Sequence, residues 1–143
     1  MSAFDELYQE IIMDHYRSPR NTALLDHIPQ ALAHENPTCG DSLKLEVVVG
    51  DGEKLERVRF DGKGCAISTA SASLMTEQVQ GLSVAEARKL AGSFIRALRG
   101  EEPVDVLDGM GDLVAFKGLT SFPVRVKCAT LAWHALLVTL PGN

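Results

Sequence analysis

The chain contains three cysteines and one nearby aspartate whose side chains could together bind a metal ion. Cys39 and Cys65 each adjoin a glycine, Asp41 follows Cys39 by two residues, and Cys128 closes the basic stretch R-V-K-C. Three thiolates and one carboxylate form a four-ligand set that suits zinc, and the carboxylate is the ligand most easily exchanged. Such a set could hold a metal and also release a thiolate for reaction.

Each of these residues also has a simpler interpretation. A single cysteine is often a small buried apolar residue, which fits Cys128 beside Ala129 and Leu131. An aspartate after a glycine often occupies a turn or caps a helix, and this could be the role of Asp41. Cys39 lies in the polar segment P-T-C-G-D, where no apolar neighbour would cover it, and this favours the metal site. Three widely spaced cysteines are nevertheless weaker evidence than paired C-x-x-C motifs.

Two basic residues close to the last cysteine are further candidates for the site. Arg125 suits pairing with a carboxylate on a partner protein, since a guanidinium binds carboxylates in a fixed geometry. Lys127 could pair with Asp41 or contact a thiol, although a lysine that faces solvent is the more common case. The four histidines are scattered along the chain, and none is preferred as a ligand.

Length, composition and charge limit the classes of protein to which the chain can belong. The 143 residues fit a single domain over 1–143, with 45% hydrophobic and 23% charged residues. A net charge of −5 and the lack of a basic stripe argue against a nucleic-acid partner. The acidic start and the short apolar runs predict neither a secretory signal nor a membrane span. An odd number of cysteines predicts free thiols in the cytoplasm, where thiols usually serve metal binding or chemistry.

The middle of the chain predicts a small antiparallel sheet. Apolar residues alternate over 43–49, a Gly-Asp-Gly turn follows, and 55–60 forms a second strand. Residues 61–64 predict another turn, and 65–67 could add a short third strand. The sequence therefore predicts an α+β fold with about three strands.

Helices are predicted on either side of this sheet. The first helix ends at Ser18, before a proline, and a second covers residues 68–80. Ser83 and Glu86 form a capping box at the start of a third helix, which a glycine ends at position 100. Residues 101–118 predict a short helix and a loop. A proline at position 123 suits the first turn of a last helix, whose apolar residues surround its axis and predict a central, buried position.

Four segments together resemble the U-type iron–sulfur cluster assembly family, which includes IscU and the N-terminal domain of NifU. They read L-Y-Q-E-I-I-M-D-H-Y-R-S-P-R-N, N-P-T-C-G-D, G-K-G-C-A-I-S-T-A-S-A-S and R-V-K-C-A-T-L-A-W, and they span nearly the whole chain. The chain is most similar to the SufU branch, which transfers sulfur and depends on zinc. Members of the IscU branch carry a histidine where this chain has Lys127, and they lack the additional residues of 101–118.

The resemblance implies a SufE/IscU-like fold and zinc held by Cys39, Asp41, Cys65 and Cys128. It also implies a partner, a SufS-type cysteine desulfurase that uses pyridoxal phosphate to build a persulfide from cysteine. Sulfur would then pass to a downstream Suf assembly scaffold or to apo-proteins.

Two functions are compatible with these residues. The leading hypothesis is a sulfur carrier in which Cys39 attacks the persulfide of the desulfurase and accepts its outer sulfur. Such a protein accepts sulfur and activates the desulfurase, and it is not a stand-alone catalyst. The alternative is a scaffold whose thiolates hold a nascent [2Fe–2S] cluster. A purely structural zinc site is a third interpretation. It is disfavoured because the polar segment around Cys39 has no apolar neighbour that would cover the thiol.

Overall fold

The computed structural model of the chain describes residues 3–26, 34–36 and 41–141. Four α-helices and a three-stranded antiparallel sheet account for most of this part of the chain, and they confirm the α+β class. The helices are α1 (Ala3–Arg17), α2 (Ala66–Val79), α3 (Val84–Leu98) and α4 (Pro123–Thr139). The strands are β1 (His34–Asn36), β2 (Asp41–Val49) and β3 (Leu55–Lys63), in that order across the sheet.

The predicted hairpin is present, but two details of the predicted sheet are wrong. The third strand is β1, which pairs with the start of β2, whereas residues 65–67 cap and begin α2. The predicted turn at 61–64 is also wrong up to position 63, because β3 continues there opposite Ser42, Leu43 and Lys44. Gly62 serves a close approach of the strands, since a Cβ added there would lie 2.7 Å from the Ser42 carbonyl oxygen.

The apolar alternation of β2 is only partly buried. Leu43 and Leu45 are each 4% exposed and pack in the core, as the pattern predicts. Val47 is partly covered, and Val49 is exposed beyond an irregularity in the pairing of β2 with β3. The end of β2 nearest its first residue, Asp41, is therefore the end that the core holds most firmly.

Helices α2 and α4 pack against each other at the centre of the molecule, which agrees with the burial predicted for the last helix. Both are buried around most of their circumference, so neither has a strong polar and apolar face. Serines of α2 bury their hydroxyls by bonding to other elements. Ser71 donates to the carbonyl of Ala129 and accepts from the indole Nε1–H of Trp133 at 3.0 Å. These bonds fix the register of α4 on α2, because buried polar groups require partners.

Helix α3 begins with the predicted capping box. The Glu86 amide donates to Ser83 Oγ at 3.1 Å, and the Ser83 amide donates to the Glu86 carboxylate at 2.9 Å. Its inner face carries Phe94, whose ring lies 4.7 Å from that of Trp133 and 5.9 Å from that of Phe116. This aromatic cluster joins α3 to α4, through Trp133, and to the segment that follows α3, through Phe116.

That segment, residues 101–118, forms two 3-10 helices where a short helix and a loop were predicted. They cover Val104–Gly109 and Gly111–Leu119, and they bury Leu107, Leu113 and Phe116. Lys117 holds them together through ion pairs with Asp105 at 2.8 Å and Asp108 at 3.1 Å. The segment therefore packs on the core as a folded element.

Helix α1 contains a buried polar pair that the sequence did not single out. His15 is 4% exposed, and its Nδ1 lies 2.7 Å from Ser73 Oγ of α2. The same oxygen accepts a hydrogen bond from the Arg20 amide at 2.8 Å, and His15 Nε2 lies 3.6 Å from Glu77. Burial is the main cause that lowers the pKa of His15 below its ordinary value, and the nearby Arg20 adds to it.

This histidine should make the stability of the fold depend on pH. The folded state binds the His15 proton more weakly than the unfolded state, so the free energy of unfolding falls as pH drops below about 6.5. We expect His15→Asn to flatten this dependence between pH 7 and pH 5, by at most about 1.4 kcal/mol per pH unit. Urea unfolding at both pH values measures it, and equal pH dependence in the two proteins would contradict it.

Candidate metal centre

The structure brings Asp41, Cys65 and Cys128 together from three elements. Asp41 is the first residue of β2, Cys65 is the N-cap residue of α2, and Cys128 lies in the second turn of α4. One donor atom from each of the three lies within 4.8 Å of those of the other two. Residues separated by 24 and 63 positions therefore form one cluster of a carboxylate and two sulfurs.

Hydrogen bonds fix the carboxylate in this cluster. Asp41 is 3% exposed, and its Oδ1 accepts a hydrogen bond from the Cys65 amide at 3.0 Å. Its other oxygen, Oδ2, lies 3.4 Å from Cys65 Sγ, while that sulfur accepts from the Ser68 amide at 3.4 Å. Asp41 thus binds the start of α2 with one oxygen and presents the second to the sulfur. The aspartate serves the local fold and the cluster together.

Solvent reaches the two sulfurs unequally. Cys65 is exposed, whereas Cys128 is 4% exposed. A metal at the cluster would accordingly be anchored on its inner side by Cys128 and Asp41, and it would be accessible near Cys65. Cys39, the fourth predicted ligand, lies outside the described residues.

The donor set fits zinc by type and by spacing. Two sulfurs that each lie 2.3 Å from a tetrahedral zinc ion are separated by about 3.8 Å. The donor atoms of the cluster, all within 4.8 Å of one another, need only a small contraction to reach that separation. Soft thiolates with a single carboxylate favour zinc or an iron–sulfur centre over calcium or magnesium.

The two basic candidates lie on different sides of α4. Arg125 is exposed, and its guanidinium carbon lies 4.8 Å from the centre of the Phe122 ring. Lys127 is exposed on another face of the helix, where it lines a pocket with Thr130 and His134. Lys127 is thus exposed to solvent, and its pairing with Asp41 or contact with a thiol stays a prediction.

Gly64 packs directly against the carboxylate, which explains why a glycine precedes Cys65. A Cβ at this position would lie 3.0 Å from Asp41 Oδ1 and 3.1 Å from Ser68 Oγ. We expect Gly64→Ala to displace the carboxylate and to weaken zinc binding by about tenfold or more, as changes beside metal ligands do. Competition with a zinc chelator measures this.

A matched control is Gly109→Ala, because an added Cβ there meets no atom within 4 Å. This variant should bind zinc as the unaltered protein does. If Gly64→Ala also kept the affinity of the unaltered protein, the contact between Gly64 and Asp41 would have no importance for the metal.

The sequence matches the NifU-like N-terminal domain family over residues 7–135. The chain belongs to this family. It is 44% identical over 133 residues to the zinc-dependent sulfurtransferase SufU of Bacillus subtilis, covering 92% of the chain and 88% of that protein. It is 42% identical over 137 residues to the iron–sulfur cluster assembly scaffold protein IscU of Streptococcus pyogenes, covering 95% and 84% of the two chains.

Solved structures confirm the fold of this NifU-like domain. A candidate scaffold protein for iron–sulfur cluster assembly in the SUF system of Fervidobacterium islandicum superposes with a TM-score of 0.77 at 31% identity, covering 94% of this chain and 97% of that chain. A crystal structure of a hypothetical protein gives a TM-score of 0.82 at 38% identity, covering 96% and 99%. The resemblance inferred from the four segments is therefore confirmed. The two sequence relatives and the protein of Fervidobacterium islandicum are named for iron–sulfur cluster assembly or sulfur transfer.

The sequence indicated the types of the donors but missed the residues that hold them. Ser68 supports Cys65 through its amide, and only its position three residues after an N-cap could have indicated this role. The glycine beside Cys65 indicated a close approach, although not that Asp41 would be the group approached. None of the described helices combines the length and the apolar character that crossing a bilayer requires.

Proposed function

We propose that this NifU-like domain is a zinc-containing sulfur carrier of the cytoplasm. It takes sulfur from the persulfide of a SufS-type cysteine desulfurase onto Cys39 and passes it to a downstream Suf scaffold or to apo-proteins. The observation that carries the proposal is the convergence of one carboxylate and two sulfurs at an accessible edge of the fold. The relative that is named a zinc-dependent sulfurtransferase supports it.

Cys39 is the fourth ligand in this proposal. It precedes Asp41 by two residues, and two residues of chain span at most about 7 Å. The backbone of Cys39 is thus tethered close to a carboxylate that belongs to the cluster. Cys39, Asp41, Cys65 and Cys128 would hold the ion, which keeps sulfur ligands in the thiolate form when bound.

The residues divide the work between anchoring and reaction. Cys128 is buried, so it serves as an anchor, and Asp41 is fixed by the Cys65 amide. Cys39 is the group that reacts: its thiolate attacks the outer sulfur of the partner persulfide and forms a new S–S bond. The bond between the two partner sulfurs breaks, and the partner cysteine leaves as a thiolate. No external oxidant or reductant is needed, because the step is an exchange of thiolates at sulfur.

An apolar groove beside the cluster provides a surface for the desulfurase. It has a volume of about 690 Å³ and lies between α1, the start of α2 and the start of α4. Ile12 and Ile67 line it, and Phe122 and Arg125 lie at the end near α4. Arg125 forms no ion pair with another described residue, so its guanidinium is available to a carboxylate of the partner.

The scaffold function is the second candidate, and the relative from Streptococcus pyogenes favours it by name. The same thiolates could hold a nascent [2Fe–2S] cluster, with Asp41 as a labile oxygen ligand. Lys127 in place of a histidine favours the carrier.

Metal and sulfide analysis of protein purified without oxygen from its own host separates the two functions. If the domain is a carrier, we expect one zinc per chain and no sulfide. Iron with an equal amount of acid-labile sulfide would instead show that the domain is a scaffold. Incubation with the desulfurase and labelled cysteine should then leave one additional sulfur on the peptide that contains Cys39, as read by mass spectrometry.

A further inference from the structure

A second pocket lies on the opposite side of α4 from the metal cluster. It is formed by the end of α3, the residue Thr120 and one face of α4, and its volume is about 460 Å³. Pockets that bind small molecules commonly have volumes of about 300–1,000 Å³. The pocket contains none of the three clustered donors, so the proposed sulfur transfer does not account for it.

Among the described residues, every titratable side chain that lines this pocket is a lysine, an arginine or a histidine. They are Arg99 at the end of α3, and Lys127 and His134 on α4. Lys127 and His134 are seven residues apart and so lie on one face of α4. The chain as a whole has 19 aspartates and glutamates against 14 lysines and arginines, so the positive charges of Arg99 and Lys127 run against its overall charge. Like charges brought together in a folded protein cost energy unless an anion compensates them.

Within the described part of the chain, one surface ion pair partly compensates these charges. Arg99 pairs with Glu101 at 3.2 Å, but more than half of each side chain is exposed, and such pairs are weak and easily exchanged. Burial, followed by the positive charge of Arg99, lowers the pKa of His134 below its ordinary value. His134 therefore serves as a neutral hydrogen-bonding group at pH 7, and Arg99 and Lys127 supply the charge.

The inner wall of the pocket is apolar. Leu98 and Val126 are 1% and 8% exposed, and they form its interior together with the ring of Pro123. The hydroxyl of Thr130 donates to the Val126 carbonyl at 2.9 Å, so it is already used within α4. A ligand would thus meet carbon atoms inside and positive charge at the rim.

We propose that this pocket binds a small organic anion, a phosphate- or carboxylate-bearing molecule with a compact apolar body. The body contacts Leu98 and Val126, and the anionic group contacts Arg99 and Lys127. Lys127 directly precedes Cys128, so the ligand would lie on the helix that supplies the buried thiol of the metal cluster. The proposal does not depend on whether the domain carries sulfur or holds a cluster.

Nuclear magnetic resonance titration of the zinc-loaded full chain tests this site with defined probes. The probes are phenyl phosphate, phenylacetate and phenol, which share an aromatic body and differ in charge. Both anions should give saturable shifts, with dissociation constants below about 10 mM, centred on the amides of residues 98–99, 120 and 126–134. Phenol should give none. The tighter of the two anions identifies the class, phosphate ester or carboxylate.

Charge-removing variants decide whether the basic side chains cause the binding. Arg99→Gln and Lys127→Gln should each weaken the tighter probe by about tenfold. Lys89→Gln, which removes an exposed charge from α3 outside the pocket, should leave binding unchanged. Equal weakening by Lys89→Gln, shifts centred on Cys65 and Cys128, or no saturable shift below about 10 mM would each overturn the proposal.

Discussion

Replacing Cys128 or Cys65 by serine should remove zinc from the protein almost completely. A hydroxyl is a poor ligand beside a thiolate, and the remaining donors cannot close a tetrahedral site. The unaltered protein should hold one zinc per chain, and elemental analysis after gel filtration measures the loss. The two variants serve as controls for each other, because Cys65 is exposed and Cys128 is buried. Only Cys128→Ser buries a hydroxyl, so a loss of zinc in both variants must come from the missing thiolate.

Loss of the metal should also loosen the fold. The cluster joins the start of β2, the cap of α2 and the second turn of α4, so an ion bound there links three elements. A ligand that binds only the folded state stabilises it by about 4 kcal/mol when its free concentration is a thousandfold above its dissociation constant. Chelation should therefore lower the melting temperature. Full zinc occupancy in either serine variant, or an unchanged melting temperature after zinc is shown to be gone, would refute the proposed site.

The helices could be predicted closely because local signals define their ends. The capping box of α3 and the proline that begins α4 act through neighbouring backbone groups, and both are where the sequence places them. The burial of α4 followed from apolar residues all around its axis. The interlocking of α2 with α4 did not, since it depends on Ser71 meeting the backbone of Ala129 and the indole of Trp133.

The sheet was predicted less well because its edges depend on pairing. The residues of β1, His-Glu-Asn, have no strand-forming pattern, and they form a strand only by pairing with the start of β2. The sequence around Gly62 favours a turn, but glycine permits both a turn and a close approach of backbones. Only the structure shows that the Ser42 carbonyl leaves no room for a side chain there.

The sequence predicts which residue types form the candidate site, but it does not predict the contacts that hold them in place. Asp41, Cys65 and Cys128 carry the chemistry whatever the fold, so their types indicated a metal site. That the Cys65 amide holds the carboxylate, or that Arg99 and Lys127 share a pocket, depends on contacts between residues more than 20 positions apart. No periodic pattern in the sequence encodes such contacts.

Replacing Cys39 by serine should abolish the stimulation of desulfurase turnover, because the attacking sulfur is absent. The measurement is cysteine desulfurase activity with increasing amounts of added protein. Under the proposed mechanism the unaltered protein stimulates turnover by removing the persulfide sulfur, and the variant leaves it in place. Zinc content and melting temperature are measured in parallel, so that a lost activity is not mistaken for lost folding.

Two variants of Asp41 separate its roles in the fold and at the metal. Asp41→Ala removes both the possible ligand and the acceptor of the Cys65 amide hydrogen bond, whereas Asp41→Asn keeps an oxygen for that bond and loses the negative charge. Both should transfer sulfur more slowly than the unaltered protein, since the carboxylate is the exchangeable member of the donor set. Asp41→Ala should also melt at a lower temperature than Asp41→Asn.

Any iron–sulfur cluster that forms on Asp41→Ala should persist longer than on the unaltered protein, because the labile oxygen ligand is gone. Visible absorption after reconstitution with iron and sulfide follows its decay.

The carrier mechanism is decided by the cysteine: if Cys39→Ser stimulates the desulfurase as well as the unaltered protein does, Cys39 is not the acceptor. In that case the cluster of Asp41, Cys65 and Cys128 would still bind metal, and the thiol that accepts sulfur would have to be exposed Cys65.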